Sequence, residues 1–331
     1  MREPIVTVLL PVFNGEKFLA QAIDSILAQT FRDFEFLIID DASTDNSRKV
    51  IESCPDPRIR FVKNETNLQL ISTLNKGLSL ARGAFVARMD QDDLSYPSRL
   101  EKQLAFLESN PSVGIVGTGL QIIDKHGAKK EALFFPKGHC ALLFALCFNN
   151  SLGHPSVMVR RDVYQRLGGY SQIPEAWHCE DYELWKRALW ITRLANLPEI
   201  LLDLRKHETN VTKLNSDSTV RNAALIGDQI LSGLIGREVV FNRALLPVKY
   251  GGGGGLRVRE VIHTLGSLVR TLRSTWPLLV DDHCWIRIAA GEKVLGLEHL
   301  ATSLEETIQL YLCALKFNPR LLKTLFLRIF S

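Results

Sequence analysis

The chain has 331 residues, 46% of them hydrophobic and 23% charged, which excludes a disordered or collagen-like polymer and provides enough apolar mass for a large core. Lys plus Arg number 40 against 36 for Asp plus Glu, and a net charge of +4 is too even for a dedicated nucleic-acid binder. The six cysteines form no Cys-x-x-Cys pair, the first residues leave no room for a signal peptide, and the apolar run at 141–148 is too short to span a bilayer. A cytoplasmic location with reduced thiols is expected.

Residues 5–10 are a β-branched apolar run, the pattern of a strand covered on both faces. Pro11-Val12-Phe13-Asn14-Gly15 punctuates it, and Phe18, Ala22, Ile26 and Leu27 then recur at helical spacing. A second strand at 34–39 ends in Asp40-Asp41, with Ser43 or Thr44 placed to cap the next helix. A strand at 59–62, a helix at 70–81 and a strand at 84–89 follow, the last stopping at Asp90-Gln91-Asp92-Asp93. A helix at 97–108 and strands at 113–116, 154–159 and 197–204 are predicted, with a helix at 180–190. Strand–helix alternation predicts an α/β fold with a mainly parallel, helix-covered sheet whose ligands bind beyond the carboxyl ends of the strands. Phe13-Asn14, Asp40-Asp41 and the acidic cluster at 90–93 all fall at such ends. Helical patterns dominate after about residue 215, at 220–234, 256–272, 285–297 and from 304 onward. Five consecutive glycines, 251–255, read as a flexible segment. The expected organisation is one α/β domain over 1–215 and a smaller helical region over 216–331.

Three carboxylates within four residues repel one another unless a cation or strong donors neutralise them, and Mg²⁺ or Mn²⁺ is the economical occupant. Alone, the cluster fits a solvated helix-capping loop better; alone, Phe13 reads as core and Asp40-Asp41 as a helix cap. Glu180-Asp181 likewise sits where acidic residues favour a helix N-terminus.

The ordered blocks TVLLPVFNGEKFLAQAIDSILAQTF, FEFLIIDDASTD, ARGAFVARMDQDD, HPSVMVRRDVYQRLGGY, EDYELW and LRKHETNV resemble the family 2 glycosyltransferases of GT-A fold, over residues 5–212. The resemblance implies an inverting, metal-dependent transferase that moves a sugar from a nucleoside-diphosphate donor, a UDP-sugar first among them, to the hydroxyl of a glycan or lipid-linked acceptor in cell-surface glycan synthesis. It implies Asp92 as the direct ligand of Mg²⁺ or Mn²⁺, with His207 beside it. Donor contacts fall to Pro11, Phe13 and Asp41 at the nucleobase, Asn67 nearby, Asp90 at the ribose or sugar and Arg205 at the diphosphate. Asp181 becomes the catalytic base. One carboxylate on the acceptor side is sufficient for inversion, because a cation-neutralised diphosphate leaves without a proton donor. His154 is assigned to shaping the acceptor side.

Gln69 stands where relatives carry a glycine, and Leu204 where they carry an aromatic; Gln91 is given no role. Rival readings are a catalytically silent protein on the same fold, against which Asp92 and Asp181 argue together, and a sugar-nucleotide pyrophosphorylase, whose glycine-rich loop is missing after the first strand. Residues 314–331 hold Lys316, Arg320, Lys323 and Arg328, no acidic residue, and an apolar stripe through Leu321, Leu325 and Phe326. Such a segment suits either a membrane surface or a protein core.

Overall fold

The computed structural model describes residues 3–208, 216–246 and 258–275, with Ala290 and Lys293. The glycine run at 251–255 and the basic segment at 314–331 lie outside the described residues, as do the predicted helices beyond 284 apart from those two residues. The chain forms two compact units, Met1–Lys137 with Ser151–Ser216, and Gly138–Asn150 with Asp217–Ser331.

In the first unit, β1 (Val6–Val12) and β2 (Phe34–Asp40) are buried along their whole length, as two-sided apolar runs require. With β3 (Ile59–Lys63) and β4 (Phe85–Arg88) they make a parallel sheet in the order β3-β2-β1-β4. Pro11 does not end β1, contrary to the sequence reading. The Met89 amide donates to the Leu9 carbonyl at 3.0 Å, so odd residues of β1 face β4, and Pro11 lies beyond the last β1–β4 pair, Leu9 with Arg88. Its missing N–H therefore removes no ladder bond.

The sheet then becomes mixed. The stretch predicted as a strand at 154–159 is a 3₁₀ turn, His154–Ser156, followed by β8 (Met158–Arg160), which is inserted antiparallel between β4 and β6 (Val113–Asp124). Between them in the chain lie β5 (Leu94–Ser95) and β7 (Lys129–Leu133), which pair antiparallel with β9 (Arg193–Lys206) and β6 respectively. β9 runs parallel to β6, and both are far longer than their apolar cores suggest.

Helices α1 (Leu19–Leu27), α2 (Ser47–Glu52), α3 (Gln69–Leu80) and α4 (Arg99–Ser109) connect the strands. Buried Gln29, just past α1, donates to the Tyr96 carbonyl at 2.8 Å and accepts from the Leu100 amide at 3.0 Å, tying α1 to the start of α4. Arg99 is fully buried, and its guanidinium donates to the carbonyls of Arg88 at 2.7 Å and Val157 at 3.2 Å, across the seam between β4 and β8. Burial, then repulsion from Arg88, lowers its pKa to about 9. Two further helices, α6 (Arg161–Leu167) and α7 (Glu180–Ala188), complete this unit.

The second unit contains α5 (His139–Leu146), α8 (Ser216–Ile235) and α9 (Val258–Thr275). Phe148 packs on Phe144 and Phe241, and buried Asp228 accepts from the amides of Phe241 at 2.9 Å and Asn242 at 2.6 Å. No helix among the described residues is long and apolar enough to cross a membrane.

Candidate active site

Past the end of β1, four successive amides are held by side chains from the loop after β4, the loop after β2 and the first residue of α2. Phe13 donates to Gln91 Oε1 at 2.9 Å, Asn14 to Ser43 Oγ at 2.9 Å, Gly15 to Ser47 Oγ at 2.8 Å and Glu16 to Asp45 Oδ2 at 3.0 Å. Ser43 therefore serves this loop and caps no helix; α2 starts instead where Asp45 Oδ1 accepts from the Ser47 amide at 2.9 Å. Phe13 is 44% exposed, so its ring belongs to the loop mouth, while Pro11 is buried in β1.

The two aspartates ending β2 divide their work. Asp40 is fully buried and accepts from the Ser43 amide at 3.0 Å, a turn-forming role. Asp41 Oδ1 accepts from Asn64 Nδ2 at 2.7 Å and from the Leu68 amide at 2.8 Å, so it holds the 64–68 segment against the β2 end. Asn67 Oδ1 accepts from the Gln69 amide at 2.9 Å and turns the chain into α3. Gln69 itself has φ 69°, a conformation to which glycine is better suited than glutamine. Asn14 (φ 51°), Ala42 (φ 60°) and His178 (φ 62°) are also left-handed; Asn14 and Ala42 lie just past strand ends, Gln69 opens α3 and His178 precedes α7, all on segments carrying candidate residues.

Beyond β4, one ligand atom from each of Asp90, Asp92 and Asp93 falls within 4.8 Å of the others. Asp90 is ion-paired with buried Arg88. Asp92 Oδ2 lies 2.8 Å from His207 Nε2, just past the end of β9. Asp93 accepts from the Arg205 amide at 2.8 Å, and its buried Oδ2 meets no hydrogen-bond donor among the described residues. Burial, followed by the charges of Asp92 and Asp90, pushes the Asp93 carboxyl well above the usual carboxylate range; burial also raises Asp90, against the pull of Arg88. This excess of negative charge suits a cation, and carboxylate with imidazole donors fits a divalent metal. Arg205 is only 3% exposed. Its guanidinium donates to the Asp92 carbonyl at 2.8 Å and Gln21 Oε1 at 2.9 Å, and stacks 4.5 Å over Phe18, which also meets the His207 ring at 5.2 Å.

At the start of α7, Asp181 is half-buried and its Oδ1 accepts from the Tyr182 amide at 2.7 Å. Its charge is felt by Asp90 across the site. Its neighbour Glu180 is buried, with His154 Nδ1 3.7 Å away; His154 Nε2 in turn lies 2.8 Å from the Tyr170 hydroxyl, itself 3.2 Å from that of Tyr164. Burial, then the charge of Asp181, raises the Glu180 carboxyl to about 7, and burial keeps His154 neutral by pulling its pKa well below 6.5. His154 thus bears on Glu180, the neighbour of Asp181. Arg88, Arg99 and Gln91 had no functional reading in the sequence, and Asp93 only the one it shares with the acidic cluster; an arginine on the buried face of a helix was the available signal for Arg99.

Residues 7–168 match the family model described as glycosyl transferase family 2. Among curated relatives, the putative glycosyltransferase EpsE of Bacillus subtilis is 34% identical over 230 residues, 67% of this chain and 81% of that protein. The O-antigen biosynthesis glycosyltransferase WbnJ of Escherichia coli is 33% identical over 217 residues, 63% of this chain and 82% of its own length. Among solved structures, residues 1–349 of S. aureus TarS in complex with UDP-GlcNAc superpose with a TM-score of 0.56 at 17% identity, covering 92% of this chain and 89% of that one. That likeness shows the shared α/β fold.

Proposed function

The chain belongs to glycosyl transferase family 2, and we propose that it moves a sugar from a nucleoside-diphosphate donor, a UDP-sugar, to a hydroxyl of a growing cell-surface glycan, with inversion. The observation that carries this reading is the convergence of Asp90, Asp92 and Asp93 with His207 in one acidic cluster whose field also includes Asp181. UDP-GlcNAc bound to TarS and the O-antigen role of WbnJ support the donor and product classes.

In this reading Phe13 and Pro11 border the nucleobase, Asp41 and Asn67 fix the segment beside it, and Asp90 faces the ribose or sugar. Asp92 and His207 would hold Mg²⁺ or Mn²⁺, which neutralises charge growing on the departing diphosphate. Arg205 acts from beneath, bracing the acidic loop rather than standing open to solvent. Asp181 takes the proton from the acceptor hydroxyl as that oxygen forms its bond to the anomeric carbon; the carbon–diphosphate bond breaks on the opposite face, and the diphosphate departs with the electron pair. Residues 1–215 carry this chemistry. The basic, apolar-striped sequence at 314–331 is read as the contact with the inner membrane face, where a lipid-linked acceptor would be met.

The test is a panel of nucleotide sugars assayed with Mg²⁺ or Mn²⁺. Turnover of one donor is expected, lost in chelator and nearly abolished by Asp92→Ala. Full turnover in excess chelator would refute the cation assignment, and failure to turn over or bind any nucleotide sugar would refute the donor assignment.

A further inference from the structure

The donor site as read above is assembled from two sides. The nucleobase side rests on the ends of β1 and β2, and the cation side on the loop after β4 and the end of β9. Parallel pairing holds β1 against β4 only as far as Leu9 with Arg88, so the ladder does not reach Phe13. Beyond it, Gln91 takes over. Its Oε1 accepts from the Phe13 amide at 2.9 Å while its Nε2 donates to the Phe13 carbonyl at 3.0 Å. A side-chain amide here offers the same donor–acceptor pair that a peptide of a neighbouring strand would offer.

Two other observations point to a built contact. A Cβ on Gly15 would lie 2.5 Å from Gln91 Oε1 and 2.7 Å from its Cδ, so a side chain at position 15 would push the Gln91 amide out of this contact. The Phe13 ring is 44% exposed and is not seated in the core; its direction is set by its backbone, which Gln91 holds on both polar atoms. The amides of Asn14, Gly15 and Glu16 are held by the loop after β2 and the first residue of α2.

We propose that Gln91 is a positioning residue for the nucleobase: its amide fixes the Phe13 backbone and sets the spacing between the base pocket and the acidic motif in which it lies. The inference rests on the reading of Phe13 as a wall of that pocket. It gives the middle residue of the acidic motif a part in donor recognition, separate from the cation-binding part of its neighbours.

The experiment is calorimetric titration of the full chain with UDP, GDP or pyrophosphate, each with Mn²⁺, for the wild type, Gln91→Met and Gln91→Ala. Gln91→Met keeps length and volume and removes the amide. Both variants are expected to bind the preferred nucleoside diphosphate about tenfold more weakly, the loss of a pair of exposed hydrogen bonds, and pyrophosphate within about twofold of the wild type, with an unchanged melting temperature. A purely structural role for Gln91 would weaken pyrophosphate equally, and that result overturns the proposal; so does unchanged nucleotide binding. A wild type that binds pyrophosphate as tightly as UDP and GDP has no base pocket, which overturns the reading of Phe13 and this inference together.

Discussion

Glu180 gives the most quantitative test of the electrostatics around the candidate base. Its carboxyl is raised to about 7 from an ordinary 4.5, by burial first and by Asp181 next. Below pH 4.5 the group is protonated in both folded and unfolded chains and costs nothing. Between 4.5 and 7 the unfolded chain releases its proton while the folded chain keeps it, so stability falls as pH rises. Above 7 the full cost is present. At ~1.4 kcal/mol per pH unit the gap amounts to about 3 kcal/mol, an upper bound because Asp181, Arg88 and Asp90 share the site. Glu180→Gln keeps the shape and cannot ionise. Urea unfolding of wild type and variant, without metal or nucleotide, should give equal stability near pH 4.5 and a variant more stable by about 1–3 kcal/mol at pH 8. A difference that stays constant across this range would refute the buried, proton-holding state of Glu180.

Asp181→Asn should lower transfer by ~10²–10⁴ while nucleotide affinity, measured by titration, stays unchanged; near-native transfer would move the base elsewhere, with Glu180 the first suspect. Gly83→Ala places a Cβ 2.4 Å from the Thr7 amide nitrogen and 2.6 Å from the Val6 carbonyl carbon, both backbone, so it should destabilise by about 3 kcal/mol in urea, and a loss under ~0.5 kcal/mol would contradict the packing at the β1–β4 edge. Gln69→Gly should raise the melting temperature, corresponding to about 1 kcal/mol, by relieving a left-handed φ of 69°; a lowered midpoint would show that the Gln69 side chain contributes more than its backbone costs.

Much of this architecture is written locally. β1 and β2 announce themselves because strands buried on both faces need unbroken apolar runs, and the acidic cluster marks the end of β4 because carboxylates cannot continue into the core. A strand was legible at 154–159, but not its antiparallel insertion: a run this short carries no sign of direction, which the edges of β4 and β6 decide. The long β9 was under-read because Pro198 and Glu199 interrupt its apolar pattern while its pairing with β6 shifts register around them. At the site, the spacing of Asp90, Asp92 and Asp181 was visible in the chain, whereas Gln91, Arg99 and the His154–Tyr170 contact depend on partners 16 to 78 residues away.

The position of β8 has a consequence for how the site comes into being. The order β3-β2-β1-β4 on one side and β6-β9-β5 on the other meet only through Met158–Arg160. The acidic loop leaves the first group at β4 and enters the second at β5, where Arg205 and His207 also lie, so neither group holds the complete cluster. Two side chains of α4 peg the join: Arg99 reaches the carbonyls of Arg88 and Val157, and Gln103 those of Val116 at 3.0 Å and Ser156 at 2.8 Å. During synthesis, the ribosome must deliver more than 60 further residues after Asp93 before the first ladder bond across this join can form. The amides of β8 are therefore the reporters to follow: their protection from hydrogen exchange marks the moment when two half-sheets become one sheet.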